Sequence, residues 1–152
     1  MDIVEMPLVV PADPQANATS LLLSRIEKSP MSPLFGVQQG DSWVDVTAID
    51  FYQQVIALAK GFVAAGIQPG DRVGLMCRTR FEWSLIDFAM WFAGGVLVPI
   101  YETSAPSQIE WIVADSGTSA IIFETEEMQS RFAEISGSVP AVHHQWVHDS
   151  GA

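Results

Sequence analysis

The chain has 152 residues, 49% of them apolar, and a formal net charge of −11 at pH 7. That length fits one domain or one large subdomain, and the apolar fraction supplies a hydrophobic core, which argues against a disordered chain. The acidic balance argues against nonspecific nucleic-acid binding and against electrostatic docking on anionic lipid, whereas a nucleotide can still be held by backbone N–H groups.

The compartment is indicated by the cysteine content and by the absence of targeting signals. Cys77 is the single cysteine, so an internal disulfide is excluded and the cytosol is the expected setting. The first five residues carry two acids and no basic region, which argues against a signal peptide. The longest apolar run, 88–100, is interrupted by glycines and a proline and is too short to span a bilayer. We therefore expect a cytoplasmic location, with peripheral membrane association and homodimer formation left open.

The first third of the chain predicts an arm, a short helix and a hairpin. Residues 1–16 are rich in proline and acids, which predicts an extended arm. Residues 17–152 are predicted to form one α/β subdomain. Thr19 or Ser20 is the expected cap of a helix over 21–29, whose inner face carries Leu22, Leu23 and Ile26. Two apolar runs around Gly40-Asp41 then predict a β-hairpin.

The middle of the chain predicts a long helix followed by a buried strand. Thr47 with Asp50 three residues later resembles a capping box, and apolar residues at helical spacing continue to about Ala65, where Gly66 ends the helix. After the turn at 69–71, residues 72–77 are apolar on both faces, which is typical of an inner strand.

The remaining elements alternate regularly. Residues 81–93 form a helix that is apolar nearly all round, which predicts burial on most sides and places Trp91 against the sheet. A strand over 96–101 follows, then a helix capped by Ser104 or Ser107 and ended by Gly117, a strand over 120–124, a helix over 126–135 and a strand over 144–148. Strands separated by helices predict an α/β fold: a mainly parallel sheet with helices on both faces, plus the small β-hairpin.

Three of the seven basic residues lie around the first inner strand: Arg72, Arg78 and Arg80. Arg78 and Arg80 follow the carboxyl end of the strand, where open α/β sheets place ligands, so an anion or carboxylate contact is one interpretation. Pairing with neighbouring acids is the other, and the candidates for it are Asp71, Glu82 and Asp87.

The other candidate sites have simple structural interpretations. Gly61–Gly66 has P-loop spacing without the lysine and hydroxyl that contact phosphate, no GxGxxG occurs, and Gly94-Gly95 is interpreted as a helix stop. Cys77 is interpreted as a small buried hydrophobe, and the three histidines lack an acid or cysteine at metal-binding spacing. The three histidines are His143, His144 and His148. Core packing is expected for the five tryptophans, Trp43, Trp83, Trp91, Trp111 and Trp146. The acidic run Glu124, Glu126 and Glu127 is expected to be a solvated helix start.

Four motifs stand out together: the turn at 66–71, RTRFEW at 78–83, PIYETS at 99–104 and QIEWI at 108–112. Together they resemble the AMP-forming acyl-CoA synthetases, in the long-chain fatty-acid–CoA ligase branch of the adenylate-forming superfamily. The resemblance covers roughly residues 17–148. The first of these motifs is generic, whereas the last three together are fairly specific.

The resemblance implies the N-terminal part of the large domain of a ligase. Such enzymes join a fatty acid to ATP with Mg²⁺, release pyrophosphate and pass the acyl group to coenzyme A. The motifs that carry this chemistry are absent from the 152 residues, so no catalytic residue and no metal ligand is assigned, and cofactor-binding residues stay unknown. Relatives in the acetyl-CoA branch bind coenzyme A through arginines near the position of Arg131, but no local motif supports that role here.

Three functions are therefore considered. The first is a scaffold segment of a long-chain fatty-acid–CoA ligase, inactive alone, whose partners are the rest of the ligase, the fatty acid, ATP and coenzyme A. The alternative is a stand-alone, non-catalytic interaction or regulatory module. The third is an independent nucleotide-binding domain. Acyl-chain length is not readable from these residues.

Overall fold

The computed structural model describes residues 13–149. Helices and strands alternate after an initial helix and hairpin, in the order α1 Ala18–Lys28, β1 Pro33–Gln39, β2 Ser42–Thr47, α2 Ala48–Ala64, β3 Arg72–Met76, α3 Phe81–Phe92, β4 Val96–Ile100, α4 Pro106–Ser116, β5 Ala120–Thr125, α5 Glu126–Ala133 and β6 His144–Asp149. A single 3₁₀ turn, Ser136–Ser138, lies between α5 and β6.

The strands form two sheets. β3 to β6 make a parallel sheet in the order β4-β3-β5-β6, while β1 and β2 pair antiparallel as a separate hairpin. The predicted α/β fold, with its parallel sheet and small hairpin, is confirmed. β3 and β5 are the inner strands, and they are the most continuously buried strands of the sheet because both of their faces are covered.

Helices cover both faces of the parallel sheet. The first layer consists of α1, α2 and α3, and it packs on the face that carries Val73, Leu75 and Ile122. The second layer consists of α4 and α5, on the face that carries Met76 and Phe123. Side chains of a strand point alternately to the two faces, so the predicted separation of Leu75 from Met76 is confirmed.

The start of α1 differs from the prediction. Asn17 is the N-cap, and its side chain accepts a hydrogen bond from the Ser20 backbone N–H at 2.8 Å, so the helix begins before Thr19 and Ser20. The predicted inner face is confirmed for Leu22, which is 4% exposed, and for Ile26, which packs against the core of the first layer; it is wrong for Leu23, which is 45% exposed. The expected arm lies outside the described residues except for a turn in which the Ala16 N–H donates to the Asp13 carbonyl.

The predicted N-caps of α2 and α4 were tested by the structure, and one of the two predictions is correct. Thr47 caps α2 as predicted, accepting from the Asp50 N–H and donating its hydroxyl to the Asp50 carboxylate. The prediction that Ser104 or Ser107 caps α4 is wrong. Ala105 holds that place, with Pro106 behind it, and the Gln108 side chain accepts from the Ala105 N–H at 2.9 Å. A proline at the first helical position has a fixed φ that suits a helix start, and it lacks the backbone N–H that would otherwise be unpaired there.

The prediction that α3 is buried on most sides is only partly correct. Ile86, Ala89 and Met90 are buried, but Trp91 is 36% exposed and packs on Phe88 with the two rings tilted by 59°, instead of lying against the sheet. The helix contacts the sheet and α2 on one side only, so some of its apolar side chains stay outside the core. Core packing also fails for Trp43, which is 71% exposed, and for Trp111, which is 66% exposed. It holds for Trp83 and Trp146, which are partly buried and pack against the core of the first layer.

The connection from α3 to β4 depends on its two glycines. Gly94 has φ 84°, which ends the helix in the left-handed region that disfavours other residues. A Cβ at Gly95 would collide with the sulfur of Met90, so this residue lets the chain turn tightly under the helix. The interpretation of this pair as a helix stop is confirmed. Within residues 13–149, none of the helices is long and apolar enough to cross a membrane.

Candidate functional site at the carboxyl edge of the sheet

The chain reverses direction across the sheet between β3 and β5. β3 continues into α3 and then to β4 on one side, whereas β5 continues into α5 and then to β6 on the other side. α3 belongs to the first layer and α5 to the second, so the segments that leave these neighbouring strands diverge. The crevice between them is the topological switch point, the usual ligand position of an open α/β sheet.

A buried carboxylate fills this crevice. Glu124, near the end of β5, has a side chain that is 0% exposed. The Arg78 backbone N–H donates to its Oε2 at 2.8 Å, and the Arg78 guanidinium donates to its Oε1 through Nε at 2.9 Å and Nη2 at 2.5 Å. The carboxylate therefore ties the segment after β3 to the end of β5.

Arg80 joins three acids from three parts of the chain. Its Nε donates to Glu82 at 2.6 Å, and its Nη1 donates to Asp149 at 2.8 Å and to Glu124 at 3.2 Å. Asp149 belongs to β6, so the group spans the carboxyl ends of β3, β5 and β6. We call Arg78, Arg80, Glu82, Glu124 and Asp149 the switch-point cluster.

The electrostatics of the cluster favour its charged forms. The hydrogen bond from the Arg78 side chain lowers the pKa of Glu124 to about 2, against the opposing effect of burial. Hydrogen bonds from Arg80 and then from His148 lower the pKa of Asp149. Burial opposes ionisation of Glu82, yet the hydrogen bond from Arg80 leaves its pKa lowered. Each acid is thus held ionised by an arginine beside it.

The position of the arginines was predicted and their main partner was not. Pairing of Arg80 with Glu82 is confirmed, while Asp71 and Asp87 take no part in the ion pairs of residues 13–149. The interpretation of Glu124 as part of a solvated helix start is wrong. It holds for Glu126 and Glu127, which are exposed in the first turn of α5. The signal for Glu124 in the sequence was its position directly after four apolar strand residues, 120–123.

The cluster has few free hydrogen-bond donors for an external anion, because its acids already accept hydrogen bonds from both arginines. Arg78 and Arg80 each direct side-chain donors to Glu124, and Arg80 has two further acidic partners. A ligand carboxylate or phosphate that took the place of Glu124 at both arginines would have to displace a buried, hydrogen-bonded carboxylate, which is unfavourable. The Arg78 side chain, 64% exposed, is the part of the cluster that an outside anion can contact without such displacement. The ion pairs connect the carboxyl ends of three strands, which indicates a structural role for the cluster.

The remaining candidates form no catalytic group among residues 13–149. No set of three His, Cys, Asp or Glu side chains in this part of the chain could hold a metal ion. His144 stacks on Trp146 with ring centroids 5.5 Å apart, and His148 contacts Asp149. Gly61 lies within α2 and Gly66 after it, so this pair does not follow a strand as a P-loop does. Arg131 donates to the Glu102 carbonyl at 2.6 Å and thereby ties α5 to the segment after β4.

Cys77 has the environment expected of a small buried hydrophobe. The residue is 7% exposed, and its thiol donates to the Arg78 carbonyl at 3.2 Å. Burial, aided by the negative charge of Glu124, raises the pKa of the thiol to about 12. The thiolate that attacks electrophiles is therefore scarce at neutral pH.

We expect thiol reagents to label folded Cys77 slowly. An ordinary thiol near pKa 8.5 is about a quarter ionised at pH 8, and a pKa near 12 lowers that fraction more than a hundredfold. Labelling at pH 8 followed by mass spectrometry checks this, with the same reaction in concentrated urea as the control. Equal rates in the folded and unfolded chain would contradict the buried position.

The sequence is similar to a known enzyme family and to several of its curated members. A family model described as AMP-binding enzyme matches residues 24–152. The long-chain-fatty-acid–CoA ligase FadD15 of Mycobacterium bovis is 44% identical over 100 residues, which cover 66% of this chain and 17% of that protein. The human long-chain-fatty-acid–CoA ligase ACSBG1 is 26% identical over 105 residues, covering 69% of this chain and 14% of that protein. The chain thus spans a small part of the curated relatives it matches.

Solved structures with the same fold include several ligases. The N-terminal domain of FACL13 from Mycobacterium tuberculosis superposes with a TM-score of 0.76 at 23% identity, covering 87% of this chain and 33% of that one. The anthranilate CoA ligase AuaEII gives a TM-score of 0.74 at 20% identity, covering 87% and 25%. At these identities the likeness concerns the fold alone.

Proposed function

The chain belongs to the AMP-binding enzyme family, and we propose on that basis that it is a scaffold segment of a long-chain fatty-acid–CoA ligase. The complete ligase would adenylate a fatty acid with ATP and then form a thioester with coenzyme A. These 152 residues would form one wall of the acyl-adenylate region and would be inactive alone. The single cysteine, which excludes an internal disulfide within these residues, supports a cytoplasmic setting for that enzyme.

The identity to FadD15 is the observation that supports this proposal most. An identity of 44% over 100 residues is well above the 26% to human ACSBG1, and FadD15 is a long-chain fatty-acid–CoA ligase by name. The geometry is compatible with a scaffold role, because the ligand position of the sheet is filled by ion pairs of the chain itself.

The donors that adenylation requires do not occur together in the described part of the chain. Stabilising the transferring phosphates takes preorganised N–H donors, a lysine and Mg²⁺. The structure offers no metal-binding group within residues 13–149, and the two arginines of the switch-point cluster are bound to Glu124. ATP, Mg²⁺ and coenzyme A would therefore bind mainly through the rest of the ligase.

We expect the purified 152-residue chain to show no fatty-acid-dependent exchange of labelled pyrophosphate into ATP. A chimera of FadD15 in which this chain replaces the matching segment should show that exchange, since the chimera supplies the missing donors. FadD15 lacking the segment is the matched control and should be inactive, because one side of the acyl-adenylate region is then removed.

Two results would overturn the proposal. Turnover by the purified chain, free of host ligase, would mean that it contains reacting groups of its own. A well-folded but inactive chimera would favour the alternative, a non-catalytic module that kept the fold.

A further inference from the structure

A second stripe of side chains lies on the outer side of α2, next to the end of α3. The inner stripe of this helix, which includes Val55 and Phe62, is buried in the core of the first layer. Beside it, Ile56, Lys60 and Val63 follow one another at helical spacing. The helix therefore offers a surface besides the one that it packs on the sheet, and one of the three positions is basic.

These side chains border a hollow with a volume of about 370 Å³. Ala59 and Ala64 complete its lining on α2, and Phe92 contributes from α3. Tyr52 packs edge-on against Phe92 with ring centroids 5.9 Å apart, which holds the Phe92 ring in place. Val63 is 54% exposed, so the hollow is open to solvent. Covering such apolar surface with an alkyl chain is favourable.

The charge beside the hollow comes from Lys60, the only basic residue of α2 and α3. Its side chain is exposed and takes part in none of the ion pairs formed within residues 13–149. A lysine lays its aliphatic stem along apolar surface and keeps its ammonium group in water. A complementary molecule has an alkyl chain and one negatively charged end.

A larger groove between α2, α3 and β6, with a volume of about 630 Å³, has a different charge. Among the described residues, its lining includes Glu82 and neither lysine nor arginine. Glu82 repels a carboxylate, whereas Lys60 attracts one. Charge therefore selects the smaller hollow for an anionic amphiphile.

The hollow lies toward the amino edge of the parallel sheet. α3 leaves the carboxyl end of β3 and runs back, so its last residue, Phe92, lies near the starts of the strands. The Gly70 N–H donates to the Gly94 carbonyl and the Val96 N–H to the Asp71 carbonyl, each at 2.8 Å, which fixes the end of α3 beside the start of β3. The switch-point cluster lies at the opposite, carboxyl edge. A ligand in the hollow is therefore separate from one at the carboxyl edge.

We propose that the hollow beside Lys60 binds a free long-chain fatty acid. The carboxylate pairs with the Lys60 ammonium group, and the alkyl chain lies along Val63 and Phe92 over Ala59. This is a second, non-reacting site, so the inference goes beyond the proposed function and does not depend on ligase activity. The net charge of −11 keeps the affinity modest, because Lys60 offsets it only locally.

Two amphiphiles of equal chain length test the role of charge. Laurate and dodecylammonium are titrated into the isotopically labelled chain below their micelle concentrations, and amide chemical shifts locate the bound molecule. Nonspecific adsorption to an acidic chain favours the cation, whereas binding at Lys60 favours the anion. We expect laurate to bind at least threefold more tightly than dodecylammonium, with the largest shifts at Lys60, Val63 and Phe92. Octanoate should bind at least tenfold more weakly than laurate, because it has four fewer methylenes to bury.

Two exposed positions of α2 provide a matched pair of variants. Val63→Asp adds a carboxylate to the hollow, and Ala57→Asp adds one to the larger groove. We expect laurate affinity to fall at least tenfold for Val63→Asp and to stay unchanged for Ala57→Asp. Lys60→Gln removes only the cation and should weaken laurate at least threefold without weakening dodecylammonium, since exposed ion pairs contribute modestly. Circular dichroism checks that each variant is folded.

Three results would overturn the inference. They are the absence of saturable laurate binding, dodecylammonium binding as tight as that of laurate, and laurate shifts that cluster at Leu58 and Trp146 and respond to Ala57→Asp instead of Val63→Asp. The outcome is distinguishable from that of the proposed function. Laurate binding at Lys60 together with an inactive FadD15 chimera contradicts the proposed function alone, and an active chimera together with a chain that does not bind laurate contradicts this inference alone.

Discussion

Replacing Phe51 by alanine should lower the free energy of unfolding by about 3–5 kcal/mol, the range typical of buried aromatic truncations. Phe51 is 1% exposed, and its ring lies 4.9 Å from that of Phe35, 5.4 Å from Phe88 and 6.0 Å from Phe81. These neighbours come from the hairpin and from α3, so the cavity would loosen the contact between both elements and α2. Small domains are stable by only about 5–15 kcal/mol, so this variant should be close to unfolding.

Urea unfolding followed by circular dichroism measures this loss. Trp111→Ala is the control, because Trp111 is 66% exposed and its removal should cost less than about 1 kcal/mol. Similar losses for the two variants would mean that the cluster around Phe51 is not the centre of the first layer.

The periodic elements could be predicted because their signal is local. Alternation in 72–77 separates Leu75 from Met76, and a strand reveals its two faces whatever it packs against. The left-handed glycine Gly117 and the cap Thr47 were also readable, since each depends on backbone groups within a few residues.

Burial around α3 was not predictable from its composition. Trp91 and Ile86 are both large apolar residues, and the positions of the neighbouring elements decide that Ile86 is buried and Trp91 is 36% exposed. α1 shows the same limit, since the adjacent leucines Leu22 and Leu23 were both expected on the inner face and only Leu22 is buried. Such choices depend on contacts between segments far apart in sequence.

The switch-point cluster was half predictable. The location of Arg78 and Arg80 follows from a strand end, which is a local feature. Their pairing with Glu124 requires β5 to lie beside β3, with β4 on the other side, and the order of strands is not written in any one segment. The residues of the Arg78–Glu124 bond are 46 positions apart. A lone acid after a buried apolar run is a signal worth searching for in related sheets.

Replacing Glu124 by glutamine should lower the free energy of unfolding by about 2 kcal/mol at neutral pH. Removing one member of a buried ion pair costs about 3–5 kcal/mol when the other is left without solvent. Here the Arg78 side chain is 64% exposed and can be hydrated, which reduces the loss. Glu126→Gln, at an exposed position in α5, is the matched control and should change stability by only a few tenths of a kcal/mol.

The difference between wild type and Glu124→Gln should also depend on pH. The pKa of Glu124 is lowered from 4.5 to about 2 in the folded chain, so its contribution to stability is complete above about pH 5 and is lost as the pH falls toward 2. Protonated glutamate resembles glutamine in charge, so the two unfolding curves should converge across that window while they stay apart between pH 6 and 8. Parallel urea titrations at pH 7, 4 and 2.5 test this. A difference that stays constant down to pH 2.5 would mean that the carboxylate is not the charged partner of Arg78 and Arg80.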